Sequence, residues 1–453
     1  MSARVRDTLS NRQVAAALFL VLLAVYNANG REIPSFDTQP AKFATRELLL
    51  RGTLTLNHVV GTTPQLLERA PFVAAADGNY RSAYSPTPVL LAAGIVWPLY
   101  SLKVLDIRAP LAPSLIAKLA ASVLTAAAVV LMFLTALRWA PRARALLIAL
   151  GVGAGTGYWS TLSQTLWQHE SAAAGLALAV WAFTRPADRL DARAALLTGL
   201  GLGIAGTSRP QLSVTAAVLL LGMFARARFR AAALAAAIVV VGAAALMSAN
   251  VRWFEHPLGA APRLESLHPA IHATEGSFEL SLAGPAGLLI SPNRGLLIYS
   301  PIVLIALAGL PFAFTSGWRS PVWWCALAAV FQYLLYGGYT VWWGGHTYGP
   351  RYVLDLLPLL APCAALLLGS RRGSGAARLF SAMAFAWSVG VAATGAFAYP
   401  NERWNTDPSD VDRHHSRLWD WTDTQIVRCW TRGADPRNFH LLDPTAFRSP
   451  EPR

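Results

Sequence analysis

Five places in the chain put charged side chains at the edge of an apolar run: Asp37 in REIPSFDTQP, His169 and Glu170 in QTLWQHE, Arg209 in TSRPQ, Arg294 in SPNRG, and Arg351 in VWWGGHTYGPR. Their types divide by chemistry. A guanidinium keeps its charge at any relevant pH and can hold two phosphate oxygens at once. A carboxylate within hydrogen-bond reach of a hydroxyl can take its proton as that oxygen attacks. Arg351, Arg294 and Arg209 with Asp37 or Glu170 therefore suit transfer from a phosphate-linked donor. A departing phosphate is already a weak base, so positive charge around it suffices and no general acid is required.

Each residue also has a plainer reading. Asp37 suits a turn or helix cap. His169 and Glu170 follow Trp167 at a helix end, where an interfacial aromatic is ordinary and a Glu favours the helix dipole. Arg209 can snorkel to the interface, and Arg294 and Arg351 can anchor helix ends. For the last two this is the weaker account, because outer loops are normally depleted in positive charge. Trp342 and Trp343 read as an aromatic belt, and Gly344 and Gly345 as a tight turn. In the polar tail, Asp407, Asp410, Asp412, His414 and His415 are metal-ligating types, but a solvated polar segment is the expected reading.

The elements that must position these groups follow from composition. Of 453 residues, 54% are hydrophobic and 14% charged, and several apolar runs reach the length of a membrane span. The formal charge of +14 comes from short arginine clusters between those runs, which signals membrane topology and no nucleic-acid partner. Placing Arg4/Arg6/Arg12, Arg138/Arg142/Arg144, Arg185/Arg189/Arg193, Arg226/Arg228/Arg230, Arg319 and Arg371/Arg372/Arg378 on the cytoplasmic side threads eleven helices. They run at about 13–29, 111–137, 145–162, 171–184, 194–208, 211–225, 231–252, 296–315, 321–341, 352–370 and 380–398. The first is read as a retained helix, not a cleaved signal.

Residues 1–399 then form an all-α polytopic membrane domain, and 400–453 a short external tail. Residues 30–110 make a large first external loop closed by a juxtamembrane or re-entrant helix at 86–102. The spans 171–184 and 194–208 are shorter than the roughly 20 residues of a straight crossing, which hints at a cavity near the outer face. Cys325, Cys363 and Cys429 have no metal-ligand or disulfide spacing.

With this threading the five charged places share the outer face, although none was used to set it. A polyprenyl-phosphate sugar fits such a place: phosphate at the interface, isoprenoid along apolar helices, and sugar projecting outward. The ordered set of Asp37, YSPTPVLLAA at 84–93, LWQHE at 166–170, SRP at 208–210, LLISPNRGLLIYSP at 288–301 and WWGGHTYGPRYVLDLLP at 342–358 resembles the glycosyltransferase C (GT-C) superfamily. Within it, the set is most similar to bacterial relatives of polyprenyl-phosphate-mannose protein mannosyltransferases and aminoarabinose lipid A transferases.

The resemblance implies a GT-C-like bundle of about eleven spans and an inverting membrane glycosyltransferase that uses a polyprenyl-phosphate sugar. It gives Asp37 the role of base and Arg351, with Arg294, that of phosphate clamp; Arg209 joins them as the third outward guanidinium. His169, Glu170, His346 and Tyr348 are left to assist substrate, acceptor or metal. A divalent cation, Mg or Mn, is compatible with it, although His169 and Glu170 with Asp37 do not specify one. The tail is too short for the soluble domain of oligosaccharyltransferase relatives, which disfavours transfer of a whole oligosaccharide.

The acceptor is a hydroxyl on protein, glycan or lipid. The expected location is a bacterial cytoplasmic membrane, with the N-terminus inside and the site and C-terminus outside. Two alternatives are a lipid-linked sugar flippase and an acyltransferase with His169 or His346 as base. Transporters tend to carry internal repeats and mid-membrane ionisable groups, neither of which is read here.

Overall fold

The computed structural model describes residues 9–186, 190–226, 228–260, 264, 276–370 and 374–443. The anchors Arg4, Arg6, Arg189, Arg371 and Arg372 lie outside the described residues. A helix starts with α1 (Asn11–Asn27), where Ser10 accepts from the Gln13 amide and the Gln13 side chain returns to the Ser10 amide. The first loop contains α2 (Gln39–Arg51), α3 (Asn57–Thr62), α4 (Leu66–Arg69), a hairpin of β1 (Phe72–Ala74) and β2 (Tyr80–Ser82), and α5 (Thr87–Ser101). In the hairpin Val73 pairs with Arg81. Helix α5 occupies the stretch read as juxtamembrane and packs on α2 and the long helix that follows.

The bundle continues with α6 (Ala112–Ala136), α7 (Arg142–Gly155), α8 (His169–Phe183), α9 (Ala192–Ser208), α10 (Ser213–Ala225) and α11 (Phe229–Phe254). Then come α12 (Ala283–Ile290), α13 (Leu296–Tyr299), α14 (Leu304–Thr315), α15 (Pro321–Gly337), α16 (Leu357–Ser370) and α17 (Gly375–Ala398). Four helical stretches, Ala112–Ala136, Phe229–Phe254, Tyr352–Ser370 and Gly375–Ala398, are long and apolar enough to cross a membrane. The other helices of the bundle are shorter.

Three stretches read as single spans are interrupted for local reasons. The run at 145–162 leaves the α conformation after Gly155, where Thr156 is extended, and resumes as a wider turn over Tyr158–Leu162. The run at 296–315 breaks at Ser300, because a residue before proline is disfavoured in α geometry and Pro301 follows. The run at 352–370 begins as a tight 3-10 turn, Tyr352–Leu356.

Small residues let the helices approach. A Cβ added at Gly201 would sit 2.4 Å from the Gly175 carbonyl oxygen and 2.6 Å from the Ala179 nitrogen, so α8 and α9 touch backbone to backbone. Irregular backbone between the wide turn and α8 is buried in protein and organised by Gln164. Its carbonyl oxygen Oε1 accepts from Asn29 (2.8 Å) and buried Lys118 (2.6 Å), and its Nε2 donates to the Trp159 carbonyl (2.6 Å).

The tail, read as a solvated extension, is docked against the rest of the chain. Arg31 pairs with Asp435 at 3.1 Å with both side chains buried, Trp404 is fully buried, and α18 (Gln425–Arg432) packs on α17. Glu402 is also buried, accepting from Gln425 Nε2 at 3.2 Å. Burial pushes its carboxyl from 4.5 up to about 7. The folded chain then holds the Glu402 proton more tightly than the unfolded one. This stabilisation is complete below pH 4.5 and lost as pH rises through 7, on the order of 3 kcal/mol.

Two outcomes follow for thermal unfolding in detergent. Glu402→Gln should flatten the decline in melting temperature between pH 4.5 and 7. Gly201→Leu should destabilise by roughly 1–3 kcal/mol or more, because the added side chain meets backbone atoms that have no rotamer to move.

Candidate functional site

Two carboxylates and two arginines meet around the ring of Tyr352. Asp37 lies in a short 3-10 turn, Phe36–Thr38, immediately before α2. Its Oδ1 accepts from the Tyr84 hydroxyl at 2.8 Å, and its Oδ2 faces Arg351 Nη1 at 3.3 Å. Tyr84 lies in the YSPTP segment just before α5, so two separate parts of the first loop converge on this carboxylate. Burial, and then the neighbouring Asp37 charge, hold the Tyr84 phenol well above its usual value, so it remains a donor.

Arg351 closes the loop VWWGGHTYGPR. Gly344, Gly345 and Gly349 take φ values of +74°, +69° and +67°, a region that favours glycine. This curls the loop so that the Arg351 guanidinium lies over Trp167 at 4.6 Å and over Tyr352 at 5.4 Å. Its Nε is buried and has no partner among the described residues. A buried guanidinium N–H in that state can take a water or an anion, and the Nε atoms of Arg46, Arg81 and Arg226 share it.

The second pair is fully buried. Arg209, at the end of α9, reaches Asp355 Oδ2 at 2.9 Å, and Tyr336 donates to the same oxygen at 2.6 Å. His169 Nδ1 lies 3.2 Å from Asp355 Oδ1, and Arg209 also contacts the His169 ring. The Arg209 guanidinium sits 5.3 Å from the centroids of both Tyr336 and Tyr352. His169 and Tyr336 stack on Tyr352 at 6.2 and 5.6 Å. Glu170 follows at the start of α8, fully buried and with no side-chain partner among the described residues. The structure thus brings Asp37, Arg351, His169 and Arg209 into one aromatic cluster.

Asp355 is the participant the sequence reading missed. It is the one acidic residue in the apolar run of residues 352–370, and an ionisable side chain in such a run is itself a functional signal. Three other predicted residues lie apart from the cluster. Arg294 is fully buried over Trp404, and its five N–H donors meet the carbonyls of Trp343, Asn293 and Gly345 and the side chains of Gln425 and Asn405. It has no donor left for a phosphate and instead braces the loop on both sides of Gly344. Tyr348 is buried, donates to the Val391 carbonyl and packs on Tyr299. His346 turns toward the tail, 3.0 Å from Asp410.

The aromatic-belt reading of Trp342 and Trp343 is also corrected. Both are buried in protein, because Trp419 and His415 of the tail cover them. Elsewhere, an apolar cavity between α7, α14 and α16 is lined by Leu147, Ile148, Ile302, Ile305, Leu357 and Leu360. It reaches to within two residues of Asp355 along the chain.

No protein-family model and no curated protein matches the sequence. Solved structures do match in fold. ArnT from Cupriavidus metallidurans, bound to undecaprenyl phosphate, is 13% identical with a TM-score of 0.50, over 93% of this chain and 75% of that one. The oligosaccharyltransferase of Archaeoglobus fulgidus is 11% identical in two structures. Its apo form has a TM-score of 0.50 over 93% of this chain and 61% of that one. The complex with zinc and sulfate has a TM-score of 0.51 over 92% and 58%. This chain therefore spans about three fifths of the oligosaccharyltransferase's length. The likeness is one of fold, and the fold is GT-C-like.

The Arg209–Asp355 pair generates a prediction about stability. Asp355→Leu leaves Arg209 buried without a counter-charge and should destabilise by roughly 3–5 kcal/mol. The double variant Asp355→Leu/Arg209→Met should lose less than the sum of the single losses, measured as a double-mutant cycle of unfolding in detergent.

Proposed function

We propose that the protein is an integral membrane glycosyltransferase that moves a sugar from a polyprenyl-phosphate donor to an acceptor hydroxyl, with inversion, at the outer face of a bacterial cytoplasmic membrane. One observation carries the reading: Asp37 and Arg351 face each other at 3.3 Å, while the buried Arg351 Nε lacks a partner among the described residues. The GT-C-like fold supports it, and so does the lipid phosphate bound to ArnT, a protein of similar fold.

In this mechanism the donor phosphate takes the Arg351 guanidinium, held flat by Trp167 and Tyr352. That exchange releases Asp37 Oδ2, while Tyr84 keeps the carboxylate oriented through Oδ1. Asp37 Oδ2 accepts the proton of the acceptor hydroxyl as its oxygen attacks the anomeric carbon. The bond from that carbon to the phosphate oxygen breaks, and the departing phosphate gains a negative charge that Arg351 stabilises. Arg209 already has Asp355 as its counter-charge and shapes the aromatic wall; it does not clamp the phosphate.

The test is sugar transfer in membranes that contain the donor lipid, with product identified by mass spectrometry of surface glycans and glycoproteins. Asp37→Asn should lower the transfer rate by about 10²–10⁴-fold, the range of a general base, without displacing the lipid phosphate. Arg351→Ala should weaken lipid-phosphate binding as well. A wild-type rate for Asp37→Asn contradicts the assignment. Transbilayer movement of donor with no sugar transferred favours a flippase.

A further inference from the structure

We propose that His346, Asp410 and Asp412 form a binding site for one divalent cation of the zinc class, which fastens the C-terminal tail to the loop carrying Arg351. His346 Nε2 lies 3.0 Å from Asp410 Oδ1 and 3.5 Å from Asp412 Oδ2, and one ligand atom from each residue lies within 4.8 Å of the others. In a tetrahedral site with ligand bonds of 2.0–2.2 Å, neighbouring ligand atoms stand about 3.3–3.6 Å apart. The observed 3.5 Å falls in that range and the 3.0 Å a little below it.

A hydrogen bond alone leaves this arrangement unexplained. The His346 Nε2 atom carries at most one proton, directed along one line, yet two carboxylates converge on it. Protonated, His346 can direct that proton to only one of the two carboxylates, whereas a divalent cation on its lone pair would meet both. The outer shell is the kind that orients metal-ligating carboxylates. Buried Trp343 donates its indole N–H to Asp412 Oδ1 at 2.6 Å, on the other side of the carboxyl from the oxygen facing His346. The Asp412 amide donates to Asp410 Oδ1 at 2.9 Å. His346, Asp410 and Asp412 are 39%, 39% and 18% exposed, so an ion has access and can keep water in an open position. One imidazole nitrogen with two carboxylates suits zinc or manganese better than magnesium, which favours an all-oxygen shell.

The place of the cluster gives it a role. It joins residues more than sixty positions apart in sequence, and His346 stands five residues before Arg351 in a loop with three positive-φ glycines. Arg294 braces that loop through the Trp343 and Gly345 carbonyls on the protein side. The cation would hold its solvent side. This site is separate from Asp37, and it stands or falls independently of the transferase reading.

The test uses the full-length protein in detergent, freed of any polyhistidine tag and of metal by chelation, titrated with zinc sulfate and manganese chloride by calorimetry. The expected result is one saturable zinc site per chain. His346→Gln keeps a donor for the carboxylates but removes the ligand, and should weaken zinc binding by more than about 100-fold; Trp343→Phe should weaken it about 10–100-fold. His58→Ala, at an exposed histidine of α3, should bind as wild type does. Thermal melting keeps the result readable. Metal-free wild type and His346→Gln should melt alike, and zinc should raise the melting temperature of wild type alone. No saturable binding of either ion, or zinc binding retained by His346→Gln, overturns the proposal.

Discussion

Asp355 sits at the head of an apolar helix, where an unpaired carboxylate would cost several kcal/mol, and three other elements deliver groups to meet it. Arg209 comes from the end of α9, His169 from the first residue of α8, and Tyr336 from the last turn of α15. Each helix ends or begins where its side chain is needed. The irregular backbone that results is tolerated because protein surrounds it, as the Gln164 hydrogen bonds show. With Arg209 neutralised, Arg351 can sit across the same Tyr352 ring, balanced by Asp37. Two guanidiniums at one aromatic wall are stable because each has its own carboxylate.

The tail completes this face. Arg294, Gln425 and Trp404 knit residues 400–443 into the loops before α13 and after α15, so the segment that positions Arg351 is built from parts far apart in sequence. Polar composition concealed that packing, because Glu402 and Asp435 are buried with partners instead of solvated.

Much of the bundle was legible in the chain. Every stretch read as a span contains a helix, since apolar length and the positions of arginine clusters survive tertiary packing. The breaks inside 145–162, 296–315 and 352–370 were less visible, because they answer to contacts as much as to local propensity. Asp37, His169, Arg209 and Arg351 stood out as charges at apolar edges, and the structure gathers them. Arg294 stood out for the same reason, yet its role is structural: the sequence shows a cation but not the five acceptors around it. Asp355 carried a readable signal, an acid within an apolar run, that helix counting passed over. The meeting of His346 with Asp410 and Asp412 had no local signature, because ligand types more than sixty residues apart are joined only by the fold.

In the proposed mechanism a lipid phosphate displaces Asp37 from Arg351. A cryo-electron microscopy structure with a polyprenyl phosphate bound decides this. The expected map has the phosphate within hydrogen-bond distance of Arg351 Nε, the Asp37–Arg351 pair opened, and Arg209–Asp355 intact. A phosphate held at Arg209, with Asp37 and Arg351 still paired, would contradict it.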